Sequence, residues 1–145
     1  MDDPFNLERF VRAQDFVRGQ KPVFEQACAE LGGGGKEGHW MWFIFPQMKG
    51  LGFSPKSTEF AIRSRNEAEA YLSHPILGPR LRECTRLVNL IEGLSIRDIF
   101  PYPDYLKFHS CMTLFAQVPT EAQIFQDALQ KYFGGDSDRR TLELL

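Results

Sequence analysis

The sequence is short of the features that announce most functions directly. It has three cysteines, Cys28, Cys84 and Cys111, in 145 residues. An odd number at wide spacing, with no Cys-x-x-Cys pair, argues against a disulfide framework and against a zinc site. Each falls in an apolar helical pattern, where a small buried side chain is expected, and reduced thiols suit the cytoplasm. No apolar run approaches the ~20 residues needed to span a membrane. The opening Met1-Asp2-Asp3-Pro4 carries acids where a signal peptide would carry positive charge. A cytoplasmic location is therefore expected, with no membrane partner. Basic runs are missing too, and the net charge is −2. Nucleic-acid binders draw most of their affinity from counterion release by a basic stripe, so that class is disfavoured. Repeats, low-complexity tracts and linkers are absent. The four glycines Gly32 to Gly35 lack the Gly-Lys-Ser/Thr ending of a phosphate loop and do not form a GxGxxG turn. No His, Cys, Asp or Glu cluster has metal-ligand spacing, so neither a metal nor a cofactor is called for.

What is present reads as one globular domain over residues 1–145. The composition is 43% hydrophobic and 25% charged, with 13 phenylalanines, enough for an aromatic core. Proline and glycine divide it into helical segments. Asp3-Pro4 resembles an N-cap with a first-turn proline, and Phe5, Leu7, Phe10 and Val11 follow at helical spacing. Asp15 to Lys21 is polar and contains Gly19, which predicts a loop. Pro22 opens a second helix, with Val23, Phe24, Ala27, Cys28 and Leu31 as its apolar face, closed by the four glycines.

The run His39-Trp40-Met41-Trp42-Phe43-Ile44-Phe45-Pro46-Gln47 is apolar for six residues, and periodicity does not separate strand from helix there. A lone strand would leave backbone groups unpaired, so a short helix ending at Pro46 is expected. A turn over Ser57 to Ala61 follows. Ser64 with Glu67 and Thr120 with Gln123 form capping-box patterns, and Ser95, with Asp98 three residues on, caps a short turn around Ile96 and Ile99. From Pro75, the stripe Ile76, Leu77, Leu81, Cys84, Leu87, Val88 and Ile91 runs to Gly93 and predicts the central helix, about 75–92. Pro103 opens another helix, and Thr141 to Leu145 add a last turn. Six or seven helical segments joined by short loops define an all-α fold.

Four segments together resemble a family catalogued as domain of unknown function 1810. They are His39 to Gln47 with Gly50-Leu51-Gly52 and Ser54; Ala70 to Leu81; Asp98-Ile99-Phe100 with Asp104, Lys107, Ser110 and Met112 to Phe115; and Tyr132 to Gly135 with Asp138, Arg140 and Thr141. The resemblance spans nearly the whole chain. It implies a bacterial protein of mostly helical fold, a central helix wrapped by others, and it supplies no mechanism. Two departures are visible: extra residues around Phe16 to Lys21, and Gly32 to Gly35 with Glu37 where a more basic stretch is expected. Some members carry the label calpastatin, a disordered repeat inhibitor. A Phe-rich chain without repeats is physically unlike it.

The residues with chemical potential fall in those segments. Asp104, Lys107 and Ser110 are three apart on one helix face, and Thr113 extends the row. The bland reading is a solvated face with an Asp104–Lys107 ion pair. The functional readings are anion binding by Lys107 or an activated Lys107–Ser110 nucleophile, although the Ser-x-x-Lys order is absent. His39 is a helix cap or an acid–base group. Gln47 brackets the same run, and Trp40 and Trp42 either pack in the core or stack on a ligand ring. His74 reads as a turn residue. His109 sits beside Ser110, but neighbouring helix positions point about 100° apart.

The leading expectation is a pocket for a small anionic metabolite or nucleotide. There Lys107 would hold the anion, Ser110, Gln47 and Trp40 would contact it, Asp104 would orient Lys107 and His39 would move protons if there is chemistry. The rival is a protein-interaction module without chemistry, marked by an exposed apolar patch. A weaker third is nucleic-acid binding through Arg63, Arg65, Arg80, Arg82 and Arg86.

Overall fold

The computed structural model describes residues 2–119 and 122–145. Among them are ten helices and one two-stranded hairpin. The first helix, α1 (Glu8–Asp15), begins later than the proline signal suggests. Asn6 takes a left-handed φ of 52°, and the Asp3 carboxylate instead accepts from Leu7 N and Glu8 N at 2.7 and 3.0 Å. The expected loop after it holds an antiparallel hairpin, β1 (Val17–Arg18) with β2 (Lys21–Pro22). Gly19 at φ +64° makes that reversal. α2 (Val23–Gly32) follows, then the one-turn α3 (Met41–Ile44), so the apolar run is helical. Beyond Pro46 the chain straightens, and Met48 pairs in parallel with Ile62 as an isolated bridge.

α4 (Pro55–Glu59) and α5 (Arg65–Ser73) carry the Ser54 and Ser64 caps. At α5 the expected box is half formed. Ser64 Oγ accepts from Glu67 N, but the Glu67 carboxylate turns to Arg63 N and the Arg9 guanidinium. The central helix is α6 (Leu77–Leu90), which packs against α2, α3, α5 and α9 (Gln123–Phe133). His74, the C-cap of α5, braces the start of α6: its Nδ1 accepts from Ile76 N and Leu77 N. α7 (Ile96–Ile99) has the full Ser95–Asp98 capping box. The Thr120 half of the box expected before α9 lies outside the described residues.

α8 (Asp104–Ala116) is buried over most of its length, from Phe108 to Phe115. Phe108 packs with Phe45 and Phe100 at ring-centre distances of 5.1 and 4.9 Å, which joins α8 to α3 and α7. α10 (Arg139–Leu144) closes the chain against α8, capped by Asp138. All three cysteines are free; Cys84 and Cys111 are buried, while Cys28 is half-buried with its Sγ 4.0 Å from that of Cys84.

Candidate functional site

The polar row on α8 is not a uniformly solvated face. Asp104 and Lys107 are mostly covered, Ser110 is 6% exposed and Thr113 is fully buried. The row runs inward because α10 lies over its second half. Thr113 Oγ1 accepts from Asp138 N at 2.9 Å. Ser110 Oγ sits 3.0 Å from Leu106 O and 3.3 Å from Asp138 Oδ2, so its single proton goes to one of these oxygens. Asp138 Oδ2 also accepts from Thr141 N and Thr141 Oγ1. No hydrogen bond joins Lys107 to Ser110. The neighbouring thiol of Cys111 is pushed well above its ordinary pKa by burial and stays protonated.

Lys107 Nζ lies 4.6 Å above the Trp42 ring and 3.6 Å from Asp104 Oδ1. Asp104 is shared, for its other oxygen meets Lys36 Nζ at 2.6 Å. One carboxylate thus serves two ammonium groups, and Lys107 holds the longer contact. The Trp42 indole N–H is buried with no hydrogen-bond partner among the described residues.

The first turns of α8 face the chain just after α3. Between them lies a cleft of about 220 Å³. Gln47, Leu51 and Gly52 form one wall, Pro103, Leu106, Lys107 and Ser110 another, and Asp138 and Arg140 the third. Gln47 is fixed by its backbone, whose carbonyl accepts from Ile62 N at 2.9 Å. The residue is only 8% exposed, and its amide makes no hydrogen bond to any described residue. Arg140 is exposed and has no ion-pair partner among the described residues. Gly52 makes the room: a Cβ there would stand 2.6 Å from Ser57 Oγ and 3.2 Å from Gln47 Nε2.

Of the residues singled out from sequence, Gln47, Lys107 and Ser110 meet on this cleft, and Asp104 stands behind Lys107. His39 and Trp40 do not line it. His39 is exposed, and its carbonyl accepts from Arg18 at 3.0 Å. Trp40 is fully buried, with its indole N–H on Glu30 Oε1 at 2.8 Å. Glu30 ties down the glycine-rich loop by accepting from Glu37 N and Gly38 N as well. Burial pushes its carboxyl pKa up, but these hydrogen bonds, led by Gly38, outweigh burial and bring it below the ordinary carboxylate value. Of the arginines considered for nucleic acid, Arg80 pairs with Asp15 at 2.8 Å and Arg86 forks onto Glu83.

Lys36 and Glu30 were invisible as site-shaping residues, because no spacing links a loop at 36 to a helix at 104. Arg140 had a signal only in the family-like segment after Gly135. Among the described residues no group of three His, Cys, Asp or Glu side chains is placed to hold a metal, and no helix is long and apolar enough to cross a membrane.

Fold and cleft together define a mostly helical single-domain protein with a polar cleft lined by its α8 helix, the chain after α3 and the start of its final helix. Over residues 4–145 the chain matches the family model described as Protein of unknown function (DUF1810), and it belongs to that family. It is also similar to a solved structure, the conserved hypothetical protein Rv1873 from Mycobacterium tuberculosis. The two are 53% identical, the match covers 99% of this chain and 98% of that one, and the TM-score is 0.93. No curated protein matches.

Proposed function

We propose that the protein binds a compact anionic metabolite, a small phosphorylated or carboxylated molecule, in the cleft between Gln47 and α8. The observation that carries this is Gln47. The residue is 8% exposed, and its amide makes no hydrogen bond to any described residue, so its donors and acceptor are left to whatever occupies the cleft it lines. Here it borders a cleft with Lys107 and Arg140 as cations and Ser110 as a hydroxyl. An anion between these groups would satisfy the amide, draw Lys107 from its long contact with Asp104 and give Arg140 a partner. The volume of about 220 Å³ suits a compact ligand and is small for a whole nucleotide.

A second reading, docking of a protein, is favoured by two exposed rings. Phe53 is 87% and Tyr102 is 76% exposed, and each adjoins a cleft-lining residue in the chain. The two readings separate in a thermal-unfolding panel of inorganic phosphate and small phosphorylated and carboxylated metabolites. A ligand at 100 times its dissociation constant adds about 2.7 kcal/mol, which raises the midpoint by roughly 5–10 °C for a chain of this size. The expected result is such a shift, lost in Lys107→Ala and Arg140→Ala. No shift across the panel removes the metabolite reading in favour of docking.

A further inference from the structure

A larger cleft lies elsewhere, between α1, the β-hairpin and α4, and it combines cations with aromatic rings. Its volume is about 520 Å³, within the range of small-molecule sites. Phe43 and Phe60 line it, their rings edge to face at 4.8 Å. Phe16 lines it as well and is 63% exposed, an unusual position for a phenylalanine with a core available.

The charges divide into engaged and unengaged. Arg9 donates to four backbone carbonyls and to Glu67, so it is a structural wall. Arg12 is exposed and makes no hydrogen bond or ion pair with any described residue. Lys56 Nζ has no carboxylate partner among the described residues; it stands 5.8 and 5.7 Å from the centres of the Phe43 and Phe60 rings. Arg18 reaches the His39 carbonyl with one nitrogen and lies 5.8 Å from the Phe43 ring centre. Glu59 is the single acid on this lining and has no ion-pair partner among the described residues, so with Arg12, Arg18 and Lys56 the cleft keeps a positive surplus.

We propose that this cleft binds a mononucleotide, with the base against Phe16 and the arginine planes and the phosphate between Arg12 and Lys56. The shape of the charge supports that class. A simple oxyanion would leave Phe16 in water, and a neutral aromatic would leave Arg12 and Lys56 unpartnered. A flat ring joined to a phosphate satisfies both halves, because guanidinium planes and phenyl rings stack on bases while Arg and Lys take phosphate oxygens. The volume accommodates one nucleotide and does not require a polymer. This site is independent of the Gln47 cleft, since the two share no lining residue.

The test is equilibrium dialysis of the full chain with AMP, adenosine and ribose 5-phosphate. It is run on the wild type, on Phe16→Ala, on the double variant Arg12→Ala with Lys56→Ala, and on Arg140→Ala as a control in the other cleft. All replaced side chains are solvent-exposed, so folding is retained and is checked by the thermal midpoint. The expected result is saturable AMP binding, with adenosine and ribose 5-phosphate each weaker by about tenfold or more. Phe16→Ala and the double variant lose a similar factor, and Arg140→Ala binds AMP as the wild type does. Absence of saturable AMP binding overturns the proposal, as does binding that survives the double variant. Binding lost in Arg140→Ala would also overturn it, because the nucleotide would then occupy the other cleft. A single-stranded oligonucleotide that binds through Arg12 and Lys56 where AMP does not would replace it with a nucleic-acid surface.

Discussion

Arg9 and Gln47 are almost equally buried, at 9% and 8% exposure, and they are treated in opposite ways. Arg9 spends its donors on four carbonyls and the Glu67 carboxylate, and so binds α1 to the 59–61 segment and to α5. Gln47 has a fixed backbone and an amide with no hydrogen-bond partner among the described residues, at the wall of a cleft. Burial alone therefore does not distinguish structure from function. The useful distinction is whether the buried polar group is already satisfied. A saturated group holds the fold, whereas one with no hydrogen-bond partner among the described residues, open to a cleft that Lys107 and Arg140 also line, is poised for something from outside.

Breaking the saturated side should have the largest effect. Glu67→Ala leaves the Arg9 charge buried without its counter-ion, which costs about 3–5 kcal/mol. Urea unfolding should show that loss, while anion binding at the Gln47 cleft is retained in the fraction that stays folded.

Gly52→Ala acts between the two cases. Its Cβ would meet Ser57 Oγ at 2.6 Å and crowd the Gln47 amide. Overpacking of this kind costs about 1–3 kcal/mol, and the same crowding should abolish the anion-induced thermal shift. A variant as stable as the wild type would show that the cleft wall yields.

Glu30 provides a third, milder test on the structural side. Its folded pKa is lowered, so the stability it contributes is present above its unfolded value near 4.5 and is lost as pH falls through the lower folded value. Glu30→Gln should lose about 1 kcal/mol at neutral pH, a figure kept low because the carboxylate is partly solvated. Its stability should then fall less steeply than that of the wild type below pH ~4.5. Parallel acid limbs for the two proteins would remove Glu30 as the group that fastens the glycine loop.

Much of the fold was readable from sequence for local reasons. The α6 stripe, the Ser95 cap before α7 and the proline that closes α3 depend on near neighbours, and they appear where periodicity and capping place them. The hairpin at Val17–Pro22 was missed because two-residue strands have no alternation to detect. The half-formed box at Ser64 was missed because a distant arginine, Arg9, competes for Glu67. The site was legible in part. Helical spacing put Asp104, Lys107 and Ser110 in one row, and the family-like segments pointed to Gln47. How deeply that row is covered depends on α10, and the division of Asp104 between Lys36 and Lys107 depends on a loop roughly seventy positions away in sequence. No local pattern carries either fact. Likewise Trp40 and Trp42 are two apart and alike in type, yet one is satisfied by Glu30 and the other lies under Lys107.

The most direct test of the contrast is Gln47→Met, read two ways on the same sample. One readout is the thermal midpoint. The other is the indole N–H signal of Trp42 during titration with inorganic phosphate, since that ring lies 4.6 Å below Lys107 Nζ. The account expects a wild-type Trp42 signal that moves with phosphate. It expects Gln47→Met to lose that response while its stability, read from the midpoint, stays within about 1 kcal/mol of the wild type, because a side chain with no hydrogen bond to a described residue has been replaced by an apolar one of similar size. A variant destabilised as strongly as Glu67→Ala, or one whose Trp42 signal still follows phosphate, would contradict it.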